Sequence, residues 1–303
     1  MKTVKKVLIT GGSGLVGSAL RSILKKNKID CVYLTTSKKR AEENPHAFYW
    51  NPESMEIDAK AWENVDSVVH LAGSTINQPW TEKGKRDIID SRVNSTKTLV
   101  HGLKNQPNSV VRVVAASAIG WYANEQENWQ YENDAPGNGF LSDAVIRWEE
   151  ELQTLEPFNL AIVRVGVVLS TKGGALPTIA LPVKLGIGSP IGSGQQFMPW
   201  VHIDDLCGIF QFLLDNQSLT GIYNGVAPEA INNREFTKTL AKVLGRPFFF
   251  PAVPSFVLRI ALGERADMVL RSNKVSAEKI SKAGYRFLFP KTVEALEHLY
   301  EKT

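Results

Sequence analysis

Three glycines near the start of the chain have the type and spacing needed to hold a diphosphate. Gly11, Gly14 and Gly17 follow an apolar run that begins at Val7, and a helical pattern comes after them. In a strand–turn–helix context the first glycine permits the turn, the second lets a diphosphate approach the backbone, and the third lets helix and strand pack closely. Free N–H groups and the helix dipole then favour the phosphates, although a purely structural turn is the alternative. We therefore predict a dinucleotide-binding turn made of Gly11, Gly14, Leu15, Val16 and Gly17.

The end of the next apolar run bears on the choice of cofactor. An NAD site usually places Asp or Glu there to hold the ribose hydroxyls, whereas a 2′-phosphate requires hydroxyls and cations. No acidic residue occurs between Val32 and Ala41. We therefore favour NADP over NAD, and a solvated basic loop is the alternative. The candidates for contact with the 2′-phosphate are Thr35, Thr36, Ser37, Lys38, Lys39 and Arg40.

Two later features are candidates for contact with a bound ligand. Ser117 ends an apolar run that begins at Val110. Open α/β sheets bind ligands at the carboxyl ends of their strands, so Ser117 is a candidate catalytic residue. Arg92 lies beside apolar neighbours in a long helical pattern, where it is either a solvated arginine or a contact near the cofactor.

The elements that would position these residues alternate between strand and helix along the chain. Strand-like apolar runs occupy residues 7–10, 31–35, 67–73, 110–117 and 159–166, and helical periodicity occupies 15–26, 81–104 and 140–155. This alternation, with right-handed crossovers, predicts an α/β fold with a Rossmann-type doubly wound parallel sheet. We assign an NADP-binding domain to residues 1–169, with 197–226 returning to it. A smaller, mostly helical and partly interleaved substrate-side domain takes residues 170–196 and 227–303.

The composition argues against several other classes of protein. A hydrophobic content of 43% with 22% charged residues is ordinary for a soluble globular chain. The net charge of +4 gives no reason to expect nucleic acid, although it suits an anionic ligand. The two cysteines and five histidines show no ligand spacing, so we expect neither a disulfide framework nor a metal site.

The apolar segments give no reason to expect a membrane partner. None is long enough to span a bilayer, and the run after Lys6 is too short for a signal peptide. We therefore expect a cytoplasmic protein that acts on a small molecule, and the sequence leaves oligomerisation open.

Motifs along the chain resemble the extended short-chain dehydrogenase/reductase superfamily, which includes nucleotide-sugar epimerases and dehydratases. This resemblance is carried by Thr10–Gly17, His70–Gly73, Ser117 at a strand end and Val201–Asp205. More narrowly, the chain is similar to the YfcH-type "epimerase family" proteins of the SDR39U group. The segments that carry the narrower resemblance run nearly end to end: Trp80 with Ser91–Arg92, Ser117–Tyr122, Arg164–Leu169 with Gly173–Gly174, Pro190–Gln195, Trp200–Asp205, Asn224–Pro228 and Gly263–Glu264.

The resemblance implies NADP as the cofactor. The family's binding positions match Thr35 with Thr36, Leu71 with Ala72 and the adjoining Gly73, and also Arg92 and Arg164. An arginine is usual in the family where this chain has Thr36. Its absence leaves Ser37, Lys38 or Arg40 to bind the 2′-phosphate.

The catalytic pair that is usual in the superfamily is missing. Its reductases use a tyrosine followed four residues later by a lysine, whose ammonium lowers the phenol pKa. None of the seven tyrosines here has a lysine at that spacing. The substitutes are Tyr122 as an acid near Ser117, or Ser142 with Asp143 as a polar pair.

Two functions remain from the sequence. The first is an NADP-dependent oxidoreductase or nucleotide-sugar-epimerase-like enzyme acting on a small, anionic or sugar-like substrate. The second is a non-catalytic NADP(H)-sensing or regulatory protein, similar to members of the family that carry a cell-division-inhibitor label.

Overall fold

The computed structural model describes residues 4–301, which form a mixed α/β structure. The strands in this range are β1 (Lys6–Thr10), β2 (Asp30–Thr35), β3 (Ala47–Asn51), β4 (Glu56–Ile57), β5 (Ser67–His70), β6 (Arg112–Ala118), β7 (Glu125–Gln130), β8 (Leu160–Val165), β9 (Val167–Leu169), β10 (Trp200–His202), β11 (Gly221–Gly225) and β12 (Asn273–Val275). The α-helices are α1 (Leu15–Lys26), α2 (Lys38–Glu43), α3 (Glu82–Asn105), α4 (Phe140–Gln153), α5 (Leu176–Lys184), α6 (Ile203–Asp215), α7 (Asn233–Val243), α8 (Ser255–Leu262), α9 (Asp267–Leu270), α10 (Glu278–Lys282) and α11 (Thr292–Glu301). No helix in the described range is both long and apolar enough to cross a bilayer.

The chain divides into two compact units. The first consists of the described residues up to Trp121 together with Asn138–Arg164 and Cys207–Tyr223. The second consists of Tyr122–Gly137, Val165–Leu206 and the described residues from Asn224 onward. The domains expected from the sequence assign 122–137, 165–169, 197–206 and 224–226 to the first part instead. Residues 122–137 join the second unit because β7 pairs with β12. The paired strands β9 and β10 join it because their side chains pack in one hydrophobic core with helices α5, α7 and α11.

A mostly parallel sheet lies at the centre of the first unit. Its strand order is β11-β8-β6-β5-β1-β2-β3-β4. β1 pairs in parallel with both β2 and β5, whereas β3 pairs antiparallel with β4 at the edge of the sheet. β5 is buried along its whole length, as expected of a central strand in a parallel sheet covered by helices on both faces. The predicted Rossmann-type fold is confirmed.

Helix boundaries in the first unit follow local sequence signals. On α1, Leu20 and Leu24 are spaced by four residues and both are fully buried, so one face of the helix packs on the protein interior. α3 begins where the Thr81 hydroxyl accepts a hydrogen bond from the Gly84 N–H at 3.1 Å. Both helices lie within two residues of the ranges predicted from periodicity.

The second unit has its own hydrophobic core. It is built from side chains of β9, β10, α5, α7 and α11, and its buried members include Leu169, Leu176, Val183, Trp200, Phe236, Leu240 and Leu296. Two small parallel sheets, β9 with β10 and β7 with β12, complete it. β7 is not among the strands predicted from apolar runs in the sequence. Its middle residues are exposed, so it lacks the alternating pattern that identifies a half-buried strand.

Candidate functional site

The turn between β1 and α1 has the geometry for which its glycines were singled out. Gly11 has φ +67°, a left-handed conformation that glycine adopts without strain. A methyl group on Gly11 would also lie 2.9 Å from the Leu71 carbonyl carbon. A methyl group on Gly17 would lie 2.4 Å from the Gly11 carbonyl oxygen. Both positions therefore require glycine for close packing of backbone on backbone.

Gly14 is different, because it adjoins open space at the start of α1. A methyl group there would meet only the Gly11 carbonyl oxygen, at 3.3 Å. Gly14 is the N-cap of α1, no side chain caps the helix, and its first turn has no acidic residue. The positive end of the helix dipole and its N–H groups thus face a space that an anion can enter. Leu15 and Val16, predicted with the glycines, occupy the first turn of this helix.

A buried hydrogen-bond network fixes the neighbouring turn after β5. The Thr10 hydroxyl oxygen accepts from the Leu71 N–H at 3.0 Å and from the Ala72 N–H at 3.1 Å. It also lies 2.7 Å from His70 Nδ1, and His70 Nε2 lies 3.1 Å from the Thr96 hydroxyl. Because the Thr10 oxygen accepts twice, its hydrogen is best donated to His70 Nδ1, and Nε2–H then donates to Thr96. The network joins the ends of β1 and β5 to α3.

His70 is held in its neutral form. The side chain is completely buried, and burial lowers its pKa from 6.5 to about 3. A charged imidazolium would lose its hydration there without gaining an opposite charge, which is why burial alone sets the direction. The turn at Leu71, Ala72 and Gly73 therefore rests on a neutral, fully hydrogen-bonded support.

Arg92 lies beside the same turn. A methyl group on Gly73 would lie 3.1 Å from Arg92 Cγ, and the guanidinium carbon lies 5.1 Å from the centre of the Trp148 ring. Arg92 donates to the Ile88 carbonyl oxygen at 2.8 Å, and no described carboxylate lies within ion-pair distance of it. Burial lowers the pKa of its guanidinium to about 10. A half-buried cation without a counter-ion favours an anionic ligand.

The turn after β2 is rich in cations. Thr35 is buried and its hydroxyl accepts from the Ser37 N–H at 3.2 Å, whereas the next five residues are exposed. The Ser37 hydroxyl caps α2 by accepting from the Arg40 N–H at 3.3 Å. The first turn of α2 contains the cations Lys38, Lys39 and Arg40 and no acidic residue. Cations at a helix N-terminus oppose the dipole, so a bound anion would stabilise this arrangement.

Ser117 is positioned by a buried ion pair. Its hydroxyl donates to Glu149 Oε1 at 2.5 Å. Arg164 holds the same carboxylate with two hydrogen bonds of 2.8 Å, from Nε to Oε1 and from Nη2 to Oε2. All three side chains are buried, and the Arg164 guanidinium stacks on Trp121 at 4.0 Å. Arg164, which the resemblance assigned to the cofactor, is thus engaged with Glu149 in this structure.

Tyr122 belongs to a polar network of the second unit. Its hydroxyl donates to Asn224 Oδ1 at 2.6 Å, and the side chain is buried. Asn224 in turn donates from its side-chain amide nitrogen to the Ser276 carbonyl oxygen, and its backbone N–H donates to Glu132 Oε1. A fixed orientation of the phenol follows from these contacts.

The two residues of the other polar pair considered from the sequence, Ser142 and Asp143, lie in different environments. Ser142 is buried in α4 and donates to the Gly120 carbonyl oxygen at 3.0 Å. Asp143 is exposed in the first turn of the same helix, where a carboxylate complements the dipole.

One His/Asp group comes together that sequence spacing did not reveal. His202 Nε2 lies 3.2 Å from His298 Nδ1, and Asp204 is adjacent. His202 Nδ1 accepts from the Asp204 N–H at 3.0 Å, so a neutral ring carries its hydrogen on Nε2 and donates it to His298. Both ring nitrogens of the buried His202 are therefore used within the protein, an arrangement that opposes metal ligation.

Glu149 is the principal residue that the sequence interpretation missed. It lies four residues after Val145 and three before Leu152, both buried on α4. A glutamate on the apolar stripe of a helix is a signal for a buried partner. That signal was hidden because Glu149 begins a run of three glutamates.

Comparison with known proteins matches two family models to the chain. The model described as the NAD dependent epimerase/dehydratase family matches residues 7–224, and a domain of unknown function, DUF1731, matches 253–299. The epimerase family protein SDR39U1 of Homo sapiens is 35% identical over 301 residues, covering 97% of this chain and 99% of that protein. Epimerase family protein SH2119 of Staphylococcus haemolyticus is 35% identical over 302 residues, covering 98% and 100%.

Solved structures agree with this assignment. The crystal structure of human SDR39U1 isoform 2 with NADPH has a TM-score of 0.88 and 31% identity, covering 98% of this chain and all of that one. UDP-glucuronic acid 4-epimerase from Bacillus cereus, at 17% identity and a TM-score of 0.75 over 98% of each chain, shows the fold alone. The resemblance seen in the motifs is confirmed. The chain belongs to the NAD dependent epimerase/dehydratase family and, within it, to the "epimerase family" proteins that include SDR39U1.

Proposed function

We propose that this protein binds NADP(H) in its first unit and acts as an atypical short-chain dehydrogenase/reductase on a small substrate. The observation that carries the proposal is the uncapped N-terminus of α1 at Gly14, where a methyl group would meet only the Gly11 carbonyl oxygen. A diphosphate fits the chemistry of this position, because it needs close backbone approach and N–H donors. The glycines Gly11 and Gly17, by contrast, serve the packing of the turn.

The preference for NADP rests on the cations after β2. A 2′-phosphate near Ser37, Lys38 and Arg40 would relieve the unfavourable placement of cations at the start of α2. No carboxylate is available there to hold a free 2′-hydroxyl. The NADPH in the crystal structure of human SDR39U1 supports the same choice, although NAD accompanies the more distant epimerase.

Arg92 is proposed as a second anion contact in the cofactor site. Its guanidinium lies next to the Leu71–Gly73 turn without an ion-pair partner in the described residues. The Trp148 ring limits its movement, so the cation is oriented before a ligand arrives.

The chemistry on the substrate would depend on polar groups other than a Tyr–Lys pair. When bound, the nicotinamide would supply hydride transfer. The hydrogen of Ser117 points to Glu149, so the Ser117 oxygen offers a ligand acceptor lone pairs rather than a donated proton. This arrangement suits recognition of a substrate hydroxyl, as on an alcohol or a sugar. Tyr122 stays a proposed acid, held in place by Asn224.

A regulatory, non-catalytic NADP(H)-binding protein is the second candidate. It is favoured by the absence of any tyrosine with a lysine four residues later, and by the engagement of the Tyr122 hydroxyl with Asn224. Both candidate functions use the same cofactor site, but only the enzyme would convert a substrate.

Titration of NADPH fluorescence tests the shared part of the proposal. We expect a saturable change in nicotinamide emission, and Arg92→Gln should weaken binding by about 10-fold or more, the value of one lost charge-assisted contact. The exposed Arg86→Gln, on the same helix, is the matched control and should leave affinity unchanged. Absence of a saturable signal at millimolar protein or cofactor would contradict NADP(H) binding.

Turnover separates the two candidates. NADPH oxidation or product formation is measured across a panel of carbonyl compounds and nucleotide sugars. Turnover that falls in Ser117→Ala supports the enzyme, whereas intact binding with no turnover on any substrate supports the regulatory protein.

A further inference from the structure

A surface cavity of about 280 Å³ lies in the second unit. Its aromatic and polar lining consists of Trp129, Tyr131, Ser276, Glu278 and Ser281. The volume corresponds to roughly nine water molecules at about 30 Å³ each, which is the size range of one small ring-shaped ligand. None of these residues belongs to the cofactor site proposed above, and the last three lie in the segment matched by the domain of unknown function.

Trp129 and Tyr131 form the aromatic side of the cavity. Their side chains are partly exposed, at 38% and 41%. Gln130, between them, is anchored because its carbonyl oxygen accepts from the Ser276 N–H at 2.9 Å, and the Tyr131 N–H donates to Asp134 Oδ2 at 2.8 Å. The backbone that carries the two rings is therefore fixed, and the rings offer a preorganised apolar surface to a ligand.

Hydroxyl groups on the polar side of the cavity have unused hydrogen-bonding capacity. Ser276 is 7% exposed, and its oxygen accepts from the Glu278 N–H at 3.1 Å, but no described residue accepts its hydrogen. The Tyr131 hydroxyl likewise makes no hydrogen bond within the described part of the chain. Ser281 donates to the Ala277 carbonyl oxygen at 2.9 Å, so its oxygen keeps lone pairs for a donor. A buried hydroxyl hydrogen without an acceptor costs free energy, which a ligand oxygen would recover.

The charged groups at the cavity are already paired within the protein. The Glu278 carboxylate lies 2.5 Å from the Lys282 ammonium, and the Lys274 ammonium lies 4.9 Å from the centre of the Trp129 ring. An organic cation would thus find both the carboxylate and the indole ring engaged. A phosphate would find no Lys or Arg among the described residues that line the cavity. The cavity therefore favours an uncharged ligand.

We propose that this cavity binds an uncharged sugar ring. A pyranose has an apolar C–H face, which packs on aromatic faces because these carry partial negative charge. Its hydroxyl oxygens accept from Ser276 and Tyr131, and its hydroxyl hydrogens are donated to Ser281 and Glu278. A free monosaccharide and the terminal sugar of a glycoside share this chemistry. A nucleotide sugar is a poor ligand here, because no described lining residue would hold its diphosphate.

Saturation-transfer NMR and isothermal titration calorimetry of the full chain test the proposal. The probes are glucose, galactose and mannose, each as the free sugar and as its methyl glycoside. We expect saturable binding of at least one probe with a Kd in the millimolar range or tighter, because the ligand is small and held by few contacts. Tighter binding of the methyl glycoside would identify the terminal sugar of a glycoside as the ligand, and tighter binding of the free sugar would identify a monosaccharide.

Variants of the lining residues assign the binding to this cavity. Trp129→Ala should weaken it at least 10-fold through loss of the stacked ring. Ser276→Ala and Tyr131→Phe each remove one hydroxyl and should weaken binding by roughly 3–10-fold, the value of one hydrogen bond. Met268→Ala is the matched control and should bind like the wild type, because Met268 is also 38% exposed and does not line the cavity.

Circular dichroism shows whether the variants fold, and Tyr131→Phe keeps the ring, so it tests the site even if Trp129→Ala unfolds. NADPH titration should give the wild-type affinity in every folded variant, which separates failure of the sugar site from failure of the cofactor proposal. Absence of saturable binding of every probe up to about 50 mM would overturn the proposal. So would sugar binding that is unchanged in both Ser276→Ala and Tyr131→Phe. Tetramethylammonium that binds more tightly than any sugar and loses affinity in Trp129→Ala would overturn it as well, because the cavity would then hold a cation.

Discussion

At the scale of single residues, the first unit uses the half-buried Arg92 and the buried Arg164 in opposite ways. Arg164 is neutralised by Glu149 through two hydrogen bonds, whereas Arg92 has no carboxylate partner in the described residues. An uncompensated cation in a partly buried position raises the free energy of the unliganded protein. A bound anion removes that cost, so Arg92 is suited to ligand binding and Arg164 to support of Ser117.

The Glu149–Arg164 pair should show strong coupling in stability. Glu149→Leu alone leaves Arg164 buried without a counter-ion and should lower the free energy of unfolding by about 3–5 kcal/mol. The double variant Glu149→Leu/Arg164→Met replaces both charges with apolar groups and should recover much of that loss. Denaturant unfolding of the wild type, both single variants and the double variant closes the cycle. Additive single effects would contradict the account.

His70 should make the protein sensitive to acid. Its folded-state pKa is about 3 against 6.5 for the ordinary value, so between these pH values the unfolded chain binds a proton that the folded chain does not. Stability contributed by the neutral ring is therefore present above pH 6.5 and falls by about 1.4 kcal/mol per pH unit below it. Between pH 6.5 and 5 this amounts to about 2 kcal/mol.

The variant His70→Asn tests this origin of the acid sensitivity. It keeps an acceptor for the Thr10 hydroxyl and removes the titration, so its unfolding free energy should depend less on pH between 5 and 6.5. Denaturant unfolding at several pH values measures the slope, and the exposed His46→Asn should retain the wild-type slope. An unchanged slope in His70→Asn would show that His70 does not titrate in this way.

Residue types predicted the backbone geometry of the β1–α1 turn better than they predicted the support for Ser117. Glycine at Gly11 and Gly17 is required by local backbone geometry, which sequence spacing reports directly. The contact of Ser117 with Glu149 joins residues 32 positions apart on a strand and a helix. No local pattern encodes such a contact, although the place of Glu149 on an apolar stripe hints at a buried partner.

At the scale of elements, the β1–α1 turn should separate binding from stability. Gly14→Ala adds a methyl group whose one close neighbour is the Gly11 carbonyl oxygen, at 3.3 Å, which a shift of a few tenths of an ångström relieves. It should change the free energy of unfolding by less than about 1 kcal/mol, yet weaken NADPH binding at least 10-fold by blocking the diphosphate. Gly17→Ala places its methyl group 2.4 Å from the Gly11 carbonyl oxygen and should cost about 1–3 kcal/mol.

Thermal or denaturant unfolding together with NADPH titration distinguishes the two variants. If Gly14→Ala binds NADPH like the wild type, the diphosphate does not lie at this turn.

The sequence predicted the strands of the first unit more accurately than those of the second. Continuous apolar runs gave β1, β5 and β6 because strands buried on both faces of a parallel sheet need them. β7 has exposed middle residues and exists because β12, far along the chain, pairs with it. Pairing over such a distance leaves no period in the local sequence.

At the scale of the whole molecule, the role of the first unit is easier to infer from the sequence than the role of the second unit. The first unit contains every residue proposed to hold the cofactor, and its fold and family are established. The second unit carries the residues matched by a domain of unknown function, including the exposed helix α8. Exposure of an apolar helix is a property of the folded chain, so apolar spacing in the sequence does not report it.

Direct comparison of NADPH with NADH by isothermal titration calorimetry tests the central claim. The two ligands differ by one 2′-phosphate, the group assigned to the cations after β2. We predict that NADPH binds at least 10-fold more tightly at low ionic strength, and that added salt narrows the difference. Equal affinities, or tighter binding of NADH, would contradict the assignment of this protein as an NADP(H)-binding member of its family.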